Sequence, residues 1–269
     1  MLVNVHRKAT PNRGDLASAP LSYLSGHDSS AYIDILDCAN PCDKIQRDLD
    51  SAAHIIIGGG GLLDNAKFSN SLSELITKYQ KKIIVWGAGS NSISNSERTS
   101  LLGLNYIGLR DFTGEHAWVP CASCLSKDIK DAIRNRGENY VGGIGILENN
   151  SGQNTHLVGN CGIPNIRRIG NKKVSMAEMT RFISSCDALI TSSYHGVYWA
   201  TLMGIPVIGI PTSSKFYHMK HKTPLAKPND WIEALSDAKI HPNAWEECVQ
   251  ANIKFKNSLP DAVSTLEFI

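Results

Sequence analysis

The run Asp187–Thr212, DALITSSYHGVYWATLMGIPVIGIPT, decides the fold. Two apolar segments of strand length, 188–191 and 207–210, flank a stretch of helical length. The order is a buried strand, a helix beginning near His195 and a second buried strand. A strand, a helix and a strand in succession form a βαβ unit, which places the chain in the α/β class. The turn after the first strand holds Ser192, Ser193, Tyr194, His195 and Gly196. In open α/β sheets, ligands bind beyond the carboxyl ends of the strands, against the positive end of the following helix. His195 is the side chain of this turn that exchanges a proton near neutral pH. The plain alternative is a histidine that caps a helix or satisfies a core hydrogen bond. Its position, its hydroxyl neighbours and the glycine turns upstream favour a functional role.

Toward the N-terminus the same pattern recurs. Strands are expected over 2–6, 32–36, 53–57, 82–85, 106–109 and 119–120, with helices over 16–24, 43–51 and 68–78. After the first strand, Thr10–Asp15 is rich in turn formers, and Asn12, Gly14 and Asp15 are candidate substrate contacts. The third strand runs into Gly58-Gly59-Gly60-Gly61. Four consecutive glycines are costly in backbone entropy, so bare backbone is required there for a turn or for a ligand. Gly59, Gly60 and Gly61 are therefore candidate ligand contacts. The run lacks the Gly-Lys-Ser/Thr of a phosphate-binding loop and the spacing of a dinucleotide fingerprint. Trp86-Gly87-Ala88-Gly89 forms a second such turn, which adds Gly87 and Gly89. Arg110, directly after a strand and followed by Asp111, is placed to clamp a carboxylate or phosphate. The alternative is an Arg–Asp pair that braces a loop.

The polar, charged stretch 127–137 marks the expected boundary between two domains, 1–126 and 138–240. The second begins with a strand over 140–147, a polar loop over 149–154, a strand over 166–169 and a helix over 175–185. Ser175 and Glu178 have capping-box spacing. The Ser192–Gly196 turn belongs to this second domain. Helices are expected over 231–235 and 245–255, with 241–269 packing back on the first half. The stretch 215–222 is basic and aromatic; it reads as a solvated loop, or as one that meets an acceptor diphosphate or an anionic membrane surface.

Of 269 residues, 42% are hydrophobic, enough to core one large domain or two small ones. Lys and Arg total 27 against 25 acidic residues, a net charge of +2, which argues against a general nucleic-acid binder. No apolar run approaches the ~20 residues of a bilayer span. The N-terminal MLVNVHRKATPNRGD has no signal-peptide apolar region, so a cytoplasmic location is expected. Seven scattered cysteines argue against a disulfide framework. Cys121 and Cys124 read as reduced thiols and His218 and His221 as parts of a basic loop, so no metal site is expected.

Taken in order, these motifs resemble the polysaccharide pyruvyl transferase family. The matching elements are Asn12-Arg13-Gly14-Asp15, Gly58–Leu62, Trp86-Gly87-Ala88-Gly89, Arg110-Asp111, Thr191–Gly196, Gly204-Ile205-Pro206-Val207 and Lys215. The resemblance implies two Rossmann-like domains facing a central cleft, in a compact GT-B-like form. It implies transfer of pyruvate from phosphoenolpyruvate to a sugar as a ketal, with a saccharide acceptor and neither metal nor further cofactor. In that family the Arg after the strand, the His of the serine-rich turn and a Lys of the following loop are linked to donor binding and catalysis. These correspond to Arg110, His195 and Lys215, with Ser192, Ser193 and Gly196 as further substrate contacts. Two departures stand out: Ser193-Tyr194 where the family often has Arg and Leu, and Cys121-Ala122 where it often has Asp-Pro. The rival readings are a GT-B glycosyltransferase that holds a nucleotide sugar with the same glycine turns and His195, and a non-catalytic saccharide-binding relative.

Overall fold

The computed structural model describes residues 1–27, 29–91, 101–138, 140–149 and 165–269. The polar loop expected over 149–154 lies outside them beyond Asn149. The chain divides into two compact units. One comprises Met1–Thr10, Asp15–Leu125 and Cys248–Ile269, and the other Pro11–Gly14 and Ser126–Glu247.

The first unit holds β1 (Leu2–His6), β2 (Leu24–Ser25), β3 (Ser30–Asp34), β4 (His54–Gly58), β5 (Ile83–Ala88), β6 (Tyr106–Leu109) and β7 (Ala117–Trp118). Six of these form one parallel sheet in the order β3-β1-β4-β5-β6-β7. After β1 comes the single turn α1 (Arg13–Leu16); α2 (Asp43–Ser51) and α3 (Ser69–Tyr79) are the crossover helices. The central strands are mostly apolar because both faces of the sheet are covered. Ile55, Ile57, Ile83 and Val85 pack with Leu49 of α2 and with Leu72, Leu75 and Ile76 of α3. Their neighbours Ile56, Ile84 and Trp86 point the other way, toward Phe255, Leu259 and Val263. This alternation is the period of two that a pleated strand imposes.

Two local expectations fail here, each at a proline. The 16–24 stretch is not a helix: α1 stops at Leu16, and a 3-10 turn over Pro20–Tyr23 leads into β2. Pro20 has no N–H for an upstream carbonyl, and it holds Ala19 extended at φ −74° and ψ 113°. The last strand pairs at Ala117–Trp118 instead of 119–120, because Pro120 cannot donate to the ladder.

The second unit holds β8 (Ile144–Glu148), β9 (Arg167–Gly170), β10 (Ala188–Thr191) and β11 (Val207–Gly209), all parallel in the order β11-β10-β8-β9. Its helices are α4 (Lys127–Arg134), α5 (Met176–Ser184), α6 (Tyr194–Leu202) and the short α7 (Trp231–Ala234). The expected βαβ unit is β10-α6-β11. Every residue of α6 is buried, which explains why its sequence shows no polar stripe. On α5 the capping box is formed: Ser175 N donates to Glu178 Oε2 at 2.8 Å and Glu178 N to Ser175 Oγ at 3.1 Å.

Helix α8 (Ala244–Asn257) carries the chain back into the first unit, where α9 (Asp261–Ser264) follows and β12 (Glu267–Phe268) pairs antiparallel with β2. There Asn252 meets Trp86: the indole Nε1–H donates to Asn252 Oδ1 at 2.7 Å. Asn252 Nδ2 in turn donates to the carbonyls of Cys248 and Pro120 at 2.9 and 3.3 Å. Among the described residues, no helix is long and apolar enough to cross a membrane. Both units are parallel α/β sheets of the Rossmann-like kind.

Candidate functional site

In the second unit the site is built where β8, β9 and β10 end. Thr191, the last residue of β10, donates its hydroxyl to Leu147 O at 2.7 Å and accepts from Ser193 N at 3.0 Å. This closes the turn tightly. Ser193 then caps α6, its Oγ accepting from Gly196 N at 3.3 Å. A Cβ on Gly196 would stand 2.5 Å from Thr191 Oγ1, so a larger residue would force the helix off the strand.

His195 is the second residue of α6 and only 6% exposed. Trp199 and Tyr194 flank its ring, with centroids 5.3 and 5.4 Å away. Gly14 lies against the ring as well. A Cβ there would fall 2.7 Å from His195 Cγ and 2.9 Å from Cε1, and closer still to Nδ1. The imidazole therefore rests on a patch of bare backbone. The loop that supplies Gly14 is pinned within this unit: Arg13 N donates to Asn171 O at 2.9 Å, Arg13 Nε to Val174 O at 2.7 Å, and Gly14 N to Asn12 Oδ1 at 3.0 Å.

A run of polar groups joins that loop to the turn after β10. Asn149 N donates to Ser192 Oγ at 3.1 Å. Asn171 Nδ2 donates to Asn149 Oδ1 at 3.0 Å and to Asn12 Oδ1 at 3.3 Å. Sequence reasoning missed Asn149 and Asn171. Their signal was positional: each directly follows the carboxyl end of a strand, β8 or β9. Lys215 belongs to this unit too, on the 3-10 turn Ser214–Phe216 beyond β11, with Nζ 5.8 Å from the Phe216 ring centroid.

In the first unit the two glycine turns are stitched together. Gly59 N donates to Trp86 O at 3.1 Å, Gly89 N to Gly60 O at 3.0 Å, and Leu63 N to Gly89 O at 3.1 Å. Gly59 and Gly60 sit at φ +73° and +83°, a region that only glycine enters without strain. Gly87, at φ +69°, marks the register shift between β5 and β6. Gly61 O accepts from Asn91 Nδ2 at 3.0 Å.

Arg110 follows β6 and is 3% exposed. A Cβ on Gly89 would stand 2.5 Å from Arg110 Cγ and 2.8 Å from Asp111 Oδ1, so the missing side chain makes room for both. Arg110 Nε lies 3.8 Å from Asp111 Oδ1, and Asp111 Oδ2 accepts from Ser90 N at 2.6 Å. Asp15 Oδ1 comes within 3.8 Å of the Cβ position on Gly60. Cys121 lies within electrostatic reach of both Arg110 and Asp15; burial pushes its thiol pKa up, against a downward pull from Ser123 and Arg110. The first unit thus gathers Asp15, the glycines and Arg110, and the second gathers Asn12, Gly14, Ser192, Ser193, His195 and Gly196. A buried guanidinium beside bare glycine backbone has the chemistry to hold an anion. A buried imidazole at a helix N-terminus, between two aromatic rings and bare backbone, has the chemistry to move a proton. Among the described residues, no cluster of three or more His, Cys, Asp or Glu side chains is arranged to hold a metal ion.

The family model for polysaccharide pyruvyl transferase matches residues 12–214. The chain belongs to this family. No curated protein sequence gives a match. Polysaccharide pyruvyl transferases are enzymes of pyruvyl transfer to polysaccharide, so both clusters are parts of an enzyme with a saccharide substrate. The family match begins on Asn12, takes in both glycine turns, Arg110 and His195, and ends one residue before Lys215.

Proposed function

We propose that this pyruvyl transferase takes pyruvate from phosphoenolpyruvate and joins it, as a ketal, to two hydroxyls of one sugar. The observation that carries the reading is His195: a buried imidazole on the family's serine-rich turn, seated on Gly14 of the family's N-terminal motif. Phosphoenolpyruvate presents a carboxylate and a phosphate on a small carbon skeleton. Arg110 grips one of these anions through its fork, and backbone N–H groups of Gly60 and Gly61, on the turn after β4, meet the other. Asn12, Ser192 and Ser193 hold sugar hydroxyls near His195.

The proton balance assigns the rest. A proton adds to the donor's methylene carbon, which becomes a methyl group. One sugar oxygen then bonds to C2, the C2–O bond to phosphate breaks, and the second sugar oxygen bonds to C2. Of the two hydroxyl protons released, one replaces that given to carbon and the other leaves with phosphate. The step is redox-neutral. His195 is the carrier, since imidazole can both give and take a proton in such a step. Lys215 balances the charge of the departing phosphate.

The test is phosphate release from phosphoenolpyruvate with an acceptor found by screening saccharides. His195→Ala, folded by circular dichroism, should lose at least ~10²-fold in kcat; undiminished release would end the proposal. Arg110→Lys should raise the KM for phosphoenolpyruvate by about tenfold or more and leave the acceptor KM unchanged, because a planar fork becomes a point charge. Equal effects on both constants would remove Arg110 from donor binding. Thermal stabilisation by nucleotide sugars and not by phosphoenolpyruvate would point to glycosyl transfer instead.

A further inference from the structure

A cavity of about 550 Å³ opens beyond β11, where the chain leaves the sheet as Ile210-Pro211-Thr212. That volume falls within the ~300–1,000 Å³ of small-ligand sites. Its walls include Tyr217, Leu225, Pro211 and Pro228, with Thr212 and Lys227 as polar members.

The frame is preformed. Gly209 makes a parallel bridge with Leu225, Gly209 N donates to Pro224 O at 3.0 Å, and Ala226 N donates to Gly209 O at 3.0 Å. A Cβ on Gly209 would stand 2.7 Å from Leu225 Cδ2, so the segment is laid directly on the strand. Two further observations point to an occupant. Tyr217 is 53% exposed, while its neighbour Phe216 is buried. Thr212 and Lys227 place a hydroxyl and an ammonium on the same wall as that ring.

Phosphoenolpyruvate is small and anionic, and it has no use for an aromatic wall with proline and leucine flanks. A pyranose has an apolar C–H face for such a wall and hydroxyls for threonine and lysine. We infer that this pocket is a subsite for a sugar unit of the acceptor other than the one that reacts, with the Tyr217 ring as its platform and Thr212 and Lys227 as its hydrogen-bonding partners. The assignment rests on the saccharide-acceptor reading above and adds where a second sugar unit of that acceptor binds.

The experiment is saturation-transfer NMR on the full chain with methyl glycosides of glucose, galactose, mannose and N-acetylglucosamine at millimolar concentration. Wild type, Tyr217→Ala, Tyr217→Phe and Lys227→Ala are compared after circular dichroism shows each to be folded. At least one glycoside should receive saturation on its ring protons. Tyr217→Ala should weaken it by about tenfold and Tyr217→Phe should restore it, since phenylalanine keeps the stacking face. Phosphoenolpyruvate binding by calorimetry should be the same in all four proteins. Failure of every glycoside to bind wild type, survival of the signal in Tyr217→Ala, or binding of uridine in place of the glycosides would each overturn the assignment. Glycoside binding at Tyr217 without any binding of phosphoenolpyruvate would remove the donor reading and leave this pocket standing.

Discussion

Adding one methyl group at Gly14 should disarm His195 without touching the imidazole itself. An alanine Cβ would lie 2.7 Å from His195 Cγ and 2.9 Å from Cε1, where ordinary contact begins near 3.4 Å. The two carbons alone demand a shift of more than half an ångström, and the closer Nδ1 demands more, so the ring moves by about 1 Å. Trp199 and Tyr194 close the other sides, and α6 is buried along its whole length. The ring therefore has no open space to swing into, and the loop 11–14 is itself pinned through Arg13. Displacements of that size at a reacting group cost about 10²-fold in rate, and overpacking costs about 1–3 kcal/mol of stability. Gly14→Ala should thus lose about 10²-fold in kcat for phosphate release while remaining folded, with a lowered unfolding midpoint. The His195 ring signals should move from their wild-type positions in NMR spectra. A folded Gly14→Ala protein with wild-type kcat and unmoved His195 ring signals would refute the claim that bare backbone seats this ring.

Stability should also fall on mild acidification, through His6 on β1. Burial lowers its imidazole pKa from the ordinary 6.5 to about 4, against the opposing pull of the Asp34 carboxylate. The unfolded chain then takes up the proton first, so stability present above pH ~6.5 is lost as the pH falls toward 4, by up to about 3 kcal/mol. Urea titrations at pH 7 and 4.5 should show this loss in wild type and a much smaller one in His6→Gln; equal losses would remove His6 as the cause. Asn252→Leu should cost about 1–3 kcal/mol, since it strands the buried Trp86 N–H. Trp86→Phe in that background should recover part of the loss; a strictly additive double-mutant cycle would show that the hydrogen bond does not matter.

The α/β class was legible because the central buried strands are mostly apolar and so stand out as short runs. The 106–109 strand and the β10-α6-β11 unit lie where the pattern placed them. The helix expected over 16–24 is absent because Pro20 sets the backbone there. The candidate site was legible in part. Glycine turns and a charged residue after a strand are local signals, and they marked Gly59–Gly61, Gly87, Gly89 and Arg110. The amide run was not, since it depends on which strands end side by side. Asn12 and Asn171 are 159 positions apart, and nothing local announces that their side chains meet. The contact between Gly14 and His195 was hidden for the same reason: both residues were candidates, but spacing gave no hint that one is a seat for the other.

The return of 248–269 to the first unit has a consequence for biosynthesis. Phe255, Leu259 and Val263 cover one face of a sheet whose strands all lie before residue 119. On the ribosome, those strands emerge well before the residues that shield them. Ile56, Ile84 and Trp86 must then wait uncovered through the translation of more than a hundred codons. Such delayed closure slows assembly and leaves sticky surface open to aggregation. Shortening the gene from its 3′ end should therefore harm yield before it removes any residue of the two candidate clusters.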